Sequence, residues 1–175
     1  MTVAEAQLET YVAEVVERVR AAAPVAGAFT LGSALLGSFD HATSDVDLTV
    51  VVDPPLDAEA LVPALDELGT PFRKLELVVY ARGAKPPAYE LNYPDGPGEP
   101  GFWFVLDAAI AQERARPLRG RPWSELLEPV SDAEIRQAAE ELLRWANQRN
   151  EAVHAARARH YLEHGTWMTK AEARR

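Results

Sequence analysis

The segment from Asp45 to Asp53 constrains the fold most, because it places two carboxylates at the start of an apolar run. Its sequence is DVDLTVVVD, rich in β-branched residues, and it predicts a buried strand over residues 46–52. Side chains two apart in a strand point to the same side, so Asp45 and Asp47 are expected to lie together. Neighbouring carboxylates repel each other unless a cation lies between them, and such oxygen ligands suit Mg2+.

A glycine-serine pair precedes this strand. Gly32-Ser33 follows an apolar segment, predicted as a strand over residues 26–31, and leads into Ala34-Leu35-Leu36, which favours a short helix. Free N–H groups at such a helix start, beside a serine hydroxyl, can bind phosphate. Taken separately, each motif is common, and the structural alternative is a Gly-Ser turn followed by an exposed acidic bend. Together, a phosphate site and a metal site indicate nucleotide chemistry.

In order and spacing, these residues resemble a known signature. Gly32-Ser33, Gly37 and Ser44-Asp45-Val46-Asp47 resemble the GS…DxD pattern of the polymerase-β-like nucleotidyltransferases. The resemblance implies that Gly32 and Ser33 bind nucleotide phosphates. It also implies that Asp45 and Asp47 bind two Mg2+ ions.

A third acidic residue lies in the next predicted strand, residues 74–80. Glu76 has apolar neighbours in the sequence KLELVVY, and carboxylates are rarely buried without a partner. It is either an edge-strand glutamate facing water or a third metal-binding carboxylate beside Asp45 and Asp47. The second interpretation is favoured because two acids already lie nearby and the family has a third acid in mid-strand. The resemblance implies that Glu76 also accepts the proton of the attacking hydroxyl.

The whole pattern predicts an α+β fold. A nucleotidyltransferase core with a mixed β-sheet and flanking helices is expected over residues 1–120, and a short α-helical C-terminal region over residues 121–175. Residues 81–101 contain five of the thirteen prolines and four of the ten glycines, which predicts a long loop. Further predicted elements are helices over 4–22 and 58–68, a strand over 102–106, a helix from Asp107 to Arg114, and a linker over 118–122.

The C-terminal region has clear helix signals. Ser131 and Glu134 form a predicted capping box, and the helical pattern then runs to Leu162 with an expected break between residues 147 and 150. Gly165 is a predicted C-cap, and Trp167 is expected to enter a last helix.

A second set of residues narrows the resemblance. Arg157, Gly165 and Lys170 resemble the C-terminal R-x(7)-G-x(4)-K pattern of the streptomycin/spectinomycin adenylyltransferases. The segments Leu75-Glu76-Leu77 and Glu90-Leu91 are similar to theirs in the same order. The resemblance implies that ATP is the co-substrate and that Arg157 and Lys170 bind its phosphates.

Two family residues that contact the drug differ in this chain. Tyr93-Pro94-Asp95-Gly96 stands where the family has a tryptophan, and Asn147 stands where it has an aspartate. An amide cannot neutralise a guanidinium group, so we expect weak or no use of streptomycin. Spectinomycin or another hydroxylated metabolite is the better candidate, with Asn147, Glu90 and Asp107 as predicted substrate contacts.

The charge of the chain limits its partners. With 27 acidic and 18 basic residues the net charge is -9, which disfavours nucleic acid and is compatible with a cationic small molecule or simply with solubility. There are no cysteines, so no disulfide or thiolate site is expected. No apolar run reaches membrane-spanning length, and the N-terminus carries Glu5 and Glu9, so we expect a cytoplasmic protein without a membrane partner.

The function predicted from these observations is Mg2+-dependent transfer of AMP from ATP to a hydroxyl of a small molecule, an aminoglycoside or aminocyclitol. One alternative is a minimal nucleotidyltransferase that adenylylates a protein, as antitoxins of this superfamily do. The appended helices argue against it. Another is a catalytically silent nucleotide-binding regulator, which the presence of Asp45, Asp47 and Glu76 disfavours.

Overall fold

The computed structural model describes residues 3–37, 39–94 and 100–175. Asp95 and Gly96, which stand near the family's drug-binding tryptophan position, lie outside these ranges. No helix within the described residues is both long enough and apolar enough to span a bilayer. The helices are α1 (Val3–Ala22), α2 (Gly32–Leu35), α3 (Ala58–Leu68), α4 (Phe102–Arg114), α5 (Asp132–Arg149) and α6 (Ala152–His164). The strands are β1 (Val25–Thr30), β2 (Val46–Val52), β3 (Leu75–Ala81), β4 (Tyr89–Tyr93) and β5 (Arg119–Gly120).

The five strands form one mixed sheet in the order β4-β3-β2-β1-β5. β2 and β3 are parallel, and α3 connects them, as a parallel pair requires a crossover. The other three pairings are antiparallel. The predicted α+β fold with a mixed sheet, flanking helices and a helical C-terminal part is confirmed.

One face of the sheet is buried against α1 and α3. Alternate residues of β2 and β3 face these helices, which contribute the valines of α1 and two leucines of α3. Because strand side chains alternate, the residues between them lie on the opposite face. The residues of β2 and β3 in this core are Val46, Leu48, Val50, Val52, Leu75, Leu77 and Val79. This pattern assigns Asp47 and Glu76 to the face that α1 and α3 do not cover.

The chain divides into two compact units. The first contains residues 1–98 and 111–128, and the second contains residues 99–110 and 129–175. This division differs from a single boundary at residue 120. Its boundaries lie after residue 98, within α4 after residue 110, and after residue 128. β5 lies in the segment predicted as a linker, 118–122, and pairs with β1, so this segment belongs to the sheet of the first unit.

Two predictions in the middle of the chain are wrong. Residues 102–106 are not a strand but the start of α4, because Phe102, Leu106 and Ala109 recur at helical spacing and pack together in the core of the second unit. The predicted loop 81–101 contains β4, which pairs with β3. Its alternation of apolar and polar residues is short and lies between prolines, which concealed it.

The helical predictions for the second unit are largely confirmed. The N–H of Glu134 donates to Ser131 Oγ at 3.3 Å, and the N–H of Ser131 donates to Glu134 Oε2 at 2.8 Å, which completes the capping box. Asn150 has a left-handed conformation with φ 57° and ends α5 within the expected region. Gly165 ends α6 with φ 71°.

The last predicted helix, from Trp167, is not present. Residues 167–171 are irregular, and a single 3-10 turn, Glu172–Arg174, follows. Thr169 lies shortly before this turn, and its hydroxyl accepts a hydrogen bond from the N–H of Glu172 at 3.2 Å.

The capping box yields a stability prediction. Replacing Ser131 with Ala removes the acceptor for the N–H of Glu134 and should lower the free energy of unfolding by about 1 kcal/mol. Urea denaturation followed by circular dichroism measures the loss. Ser124→Ala, at an exposed serine outside any such cap, is the control and should be near neutral. Equal effects of the two substitutions would contradict the role of the cap.

Candidate active site

Asp47 and Glu76 lie side by side on the sheet. They are register partners in the parallel pair of β2 and β3, so both side chains are on the face opposite the α1 and α3 core. Both side chains are partly exposed. Asp47 and Glu76 can act in one site only if they lie on the same face of the sheet, and they do.

The row of polar residues continues into β4. Asn92 is the register partner of Glu76, and its side chain is buried, with 7% of the residue exposed. Glu90 lies two residues earlier in the same strand and therefore on the same face. The structure thus brings Glu90, a predicted acceptor contact, to the same face as Asp47 and Glu76. Sequence reasoning missed Asn92, although its spacing of two from Glu90 was visible.

The glycine-serine turn packs against Asp47. Gly32 has φ 53°, a left-handed conformation that favours glycine, and a Cβ at this position would overlap the Asp47 carboxylate. The N–H of Leu31 donates to the backbone carbonyl of Asp47 at 2.8 Å. The two halves of the signature are therefore in direct contact, although Gly32 and Asp47 are fifteen positions apart in the sequence.

Asp45 is held by an arginine. Arg73 donates from Nε to Oδ1 at 2.8 Å and from Nη2 to Oδ2 at 2.7 Å, so both carboxylate oxygens are engaged. The Arg73 side chain is 61% exposed and that of Asp45 is 20% exposed. Because the guanidinium is largely exposed to water, this ion pair contributes only about 0.2–1 kcal/mol.

Glu76 is held by a lysine. Lys74 Nζ lies 2.9 Å from Glu76 Oε1, and the two side chains are 18% and 29% exposed. The carbonyl of Lys74 accepts a hydrogen bond from the N–H of Val46 at 2.9 Å, which fixes Lys74 to the start of β2. Sequence reasoning treated Lys74 only as the first residue of a strand. Its spacing of two from Glu76 was the signal that it lies on the same face.

The three predicted metal ligands do not form one ready centre. Within the described part of the chain, no group of three or more acidic or histidine side chains is arranged to hold a metal ion. Asp47 and Glu76 share a row, whereas Asp45 is turned to Arg73. The carboxylates of Asp45 and Asp47 are of the chemical type that Mg2+ prefers, but their arrangement in this structure is not that of a metal centre.

Arg157 and Asp107, both predicted site residues, lie in the second unit and interact electrostatically. Burial lowers the pKa of Arg157, and the charge of Asp107 opposes that shift. Arg157 Nε donates to the carbonyl of Met168 at 2.9 Å, and its guanidinium lies 5.9 Å from the ring centroid of Trp167. The guanidinium of Arg157 is therefore partly buried and held in place by these two contacts.

The other two predicted residues of the second unit are exposed. Asn147 Oδ1 accepts a hydrogen bond from Arg159 Nη2 at 3.3 Å, so the amide already has a cationic partner. Lys170 is exposed and lies close enough to lower the pKa of His154. Asn147 is therefore paired with Arg159, not with Arg157 and Asp107.

His154 lies among aromatic rings of the second unit. Its ring centroid is 5.1 Å from that of Trp103 and 6.1 Å from that of Trp145. Its Nδ1 is buried and has no hydrogen-bond partner among the described residues. Desolvation lowers the pKa of His154 most, and the charges of Lys170 and Arg157 lower it further.

Two open grooves lie elsewhere on the first unit. One of about 790 Å³ is lined by α1 and the segment 68–71. The other, of about 850 Å³, is lined by α1, the α2 region and residues 118–119. Neither groove is lined by Asp45, Asp47 or Glu76. We favour the row that contains Asp47 and Glu76 as the candidate active site because of the chemistry of its carboxylates.

Comparison with known proteins agrees with this architecture. No protein-family model and no curated protein matches the sequence. Among solved structures, the chain is similar to the spectinomycin adenyltransferase AAD(9) from Enterococcus faecialis, solved with ATP and spectinomycin. The TM-score is 0.71 at 20% identity, over 94% of this chain and 79% of that chain. The chain has a nucleotidyltransferase-like fold.

A second solved structure, a toxin-antitoxin with AMP-PNP, is more distant. Its TM-score is 0.38 at 13% identity, over 79% of this chain and 92% of that chain, which is too low to bear on the fold. The fold expected from the Gly-Ser and Asp-x-Asp signature is confirmed by the adenyltransferase. Within this nucleotidyltransferase-like fold, the signature occupies β2 and the turn after β1.

Gly32 is a test of the contact between the two halves of the signature. Gly32→Ala should lower the free energy of unfolding by roughly 1–2 kcal/mol for the left-handed conformation alone. A further loss is expected from the overlap with Asp47. Gly37→Ala is the matched control, because Gly37 also has a positive φ, of 68°, but has open space at its Cβ position. Equal losses in urea denaturation would contradict the close packing on Asp47.

The environment of His154 predicts how the stability of the protein depends on pH. Its pKa in the folded protein is lowered from the ordinary value of 6.5, so the unfolded chain binds more protons below that pH. The stability that the neutral ring contributes is complete above pH 6.5 and is lost as the pH falls toward the folded pKa. His154→Gln should therefore reduce the fall in melting temperature between neutral and mildly acidic pH. His164→Gln, at an exposed histidine of the same helix, is the control, and the same reduction there would contradict the assignment.

Proposed function

We propose that the protein transfers AMP from ATP to a hydroxyl group of a small molecule. The observation that carries this proposal is the convergence of the Gly32 turn, Asp47 and Glu76 on one part of a nucleotidyltransferase-like fold. The similar adenyltransferase was solved with ATP and spectinomycin, which supports ATP as co-substrate. Carboxylates beside a glycine-serine turn are suited to a nucleotide phosphate and its counter-cation.

Each of the candidate site residues has a proposed role in the transfer. Ser33 and the backbone N–H groups of its turn bind phosphate oxygens of ATP. Asp45 and Asp47 would hold Mg2+, and Asp45 would have to exchange its pair with Arg73 for the cation. When bound, Mg2+ neutralises charge on the phosphoryl oxygens and on the departing pyrophosphate. Arg157 and Lys170 are proposed to bind the triphosphate.

Glu76 is proposed as the general base. A base must lie within hydrogen-bond reach of the proton that it accepts. Lys74 engages Glu76 Oε1, so Oε2 is the oxygen proposed to accept the proton of the attacking hydroxyl. The sheet holds Glu76 beside Asp47, which keeps the base next to the residue proposed to position the phosphate-bound cation.

The proposed acceptor is a cationic, hydroxylated small molecule of the aminocyclitol or aminoglycoside class. Glu90 lies on the same face as Glu76, and the net charge of -9 favours a cation. Glu90 is the strongest candidate contact because it lies on the same face of the sheet as Asp47 and Glu76. The similar adenyltransferase carried spectinomycin, which makes spectinomycin the first acceptor to test and streptomycin the less suitable one.

The test is transfer of label from α-labelled ATP to a panel of aminoglycosides and aminocyclitols in the presence of Mg2+. Wild-type protein should yield a labelled AMP-drug product, and Asp47→Asn should lower its rate by on the order of 100-fold or more, because a proposed metal ligand is lost. Asp53→Asn is the control, since Asp53 lies at the other end of β2 and pairs with Arg82. An unchanged rate in Asp47→Asn would contradict the proposal. ATP binding by wild type without transfer to any acceptor would favour the silent regulator instead.

A further inference from the structure

We propose that the groove of about 850 Å³ along α1 is a binding site for a small organic cation, one with an apolar body and a single ammonium group. This α1 groove is lined by one side of α1, by Phe39, and by Leu118 and Arg119, all residues of the first unit. Its volume lies within the range of about 300–1,000 Å³ that is usual for small-molecule sites. The carboxylate row does not line it, so this inference does not rest on the proposed function.

The helix contributes an apolar stripe to the α1 groove. Leu8, Val12 and Val16 recur every four residues and therefore lie on the same side of α1. Val12 and Val16 are each 3% exposed and form the base of the groove, whereas Leu8 is only partly buried. At 1.5 Å per residue, the stripe extends for about 12 Å along the helix axis. An apolar body of that length can lie along it.

The remaining apolar side chains of the α1 groove are held in place. The ring of Phe39 packs on that of Phe72, with 5.6 Å between the ring centroids. The N–H of Leu118 donates to the carbonyl of Ala28 at 2.8 Å, which fixes this backbone beside β1. The side chain of Leu118 is nevertheless 50% exposed. Together with the stripe of α1, Phe39 and Leu118 therefore offer an apolar surface that a ligand can remove from water.

The charges of the α1 groove favour a cation. Glu17 is already paired, since Arg119 donates to its carboxylate and thereby holds the pKa of Glu17 below its usual value. Glu9 is exposed, and among the described residues it has no ion-pair partner. Two acids and one arginine line the groove, which leaves one net negative charge. The unpaired carboxylate lies two helical turns from Glu17, at the end of the stripe that begins with Leu8.

These features define the expected ligand. Its ammonium pairs with Glu9, and its apolar body lies over Val12 and Val16. An anion of the same shape is repelled by Glu9 and by the net charge of -9 of the whole chain. A neutral analogue gains the apolar contacts alone. The expected order of affinity is therefore amine, then alcohol, then carboxylate.

The test uses three probes that share one apolar body: phenylbutylamine, phenylbutanol and phenylbutyrate, each with its polar group at the chain end. Their binding to the whole chain without ATP is measured by nuclear magnetic resonance titration. The amine is expected to bind with a Kd on the order of 1 mM, as is usual for ligands of this size. The carboxylate should bind roughly 5-fold more weakly or worse, because attraction to Glu9 is replaced by repulsion.

Two substitutions separate the apolar contact from the charged one. Ala13 is exposed and lines the groove, so Ala13→Phe fills the groove with a ring without disturbing the core. It should weaken the binding of amine and alcohol alike, by on the order of 10-fold. Glu9→Gln should weaken the amine alone, by roughly 2- to 5-fold, until it binds no better than the alcohol.

Each substitution has a matched control on the same helix. Ala21→Phe places the same ring at an exposed alanine of α1 outside the groove and should leave amine binding unchanged. Glu14→Gln removes an exposed acid that lines the other groove of the first unit, and it should also leave amine binding unchanged. Circular dichroism and thermal melting establish that each variant is folded.

The inference is overturned by undetectable amine binding or by phenylbutyrate that binds as tightly as the amine. It is equally overturned if Ala13→Phe and Glu9→Gln weaken amine binding no more than their controls do, since the amine then lies elsewhere on the protein. The proposed transfer activity is judged separately, from labelled product. A chain that forms product but shows no amine binding in the α1 groove would keep the proposed function and lose this site. The reverse result would keep the site and remove the function.

Discussion

The parallel pairing of β2 with β3 is the constraint on which the other features depend. Alternate apolar residues of both strands are buried against α1 and α3, so the register is fixed by the hydrophobic effect. A slip by one residue would move Asp47 and Glu76 into that core and expose Leu48 and Leu77. The same burial that stabilises the sheet therefore places the two carboxylates beside each other on the opposite face.

Much of the fold could be predicted from local patterns. The β-branched apolar run of β2, the helical spacing of α1 and the capping box at Ser131 are each a signal within a single element. The segment 102–106 is wrongly predicted as a strand, because a short run of aromatic and β-branched residues is compatible with both a buried strand and a buried helix. β5 could not be predicted, because two residues have no periodicity and only their pairing with β1 defines them.

The carboxylates of the candidate site could be predicted from the sequence, but the residues that pair with them could not. The signature identifies Asp45, Asp47 and Glu76 because their spacing is local or follows strand order. Arg73 lies 28 positions from Asp45, and no sequence pattern indicates that its guanidinium takes both carboxylate oxygens. Asn92 becomes part of the row only through the antiparallel pairing of β4, a strand that the sequence reading placed in a loop. The charge that neutralises Asp45 therefore comes from a residue that only the tertiary structure brings close, and the sequence motif does not include it.

The brevity of β5 has a consequence for how the sheet meets its surroundings. An edge strand presents unpaired backbone groups on which a foreign strand can assemble. Here the last strand on that side is only two residues long, so it offers few outward-facing backbone groups. Its Arg119 is an exposed charge. The sheet therefore ends on this side in a short, charged border that discourages self-templated aggregation.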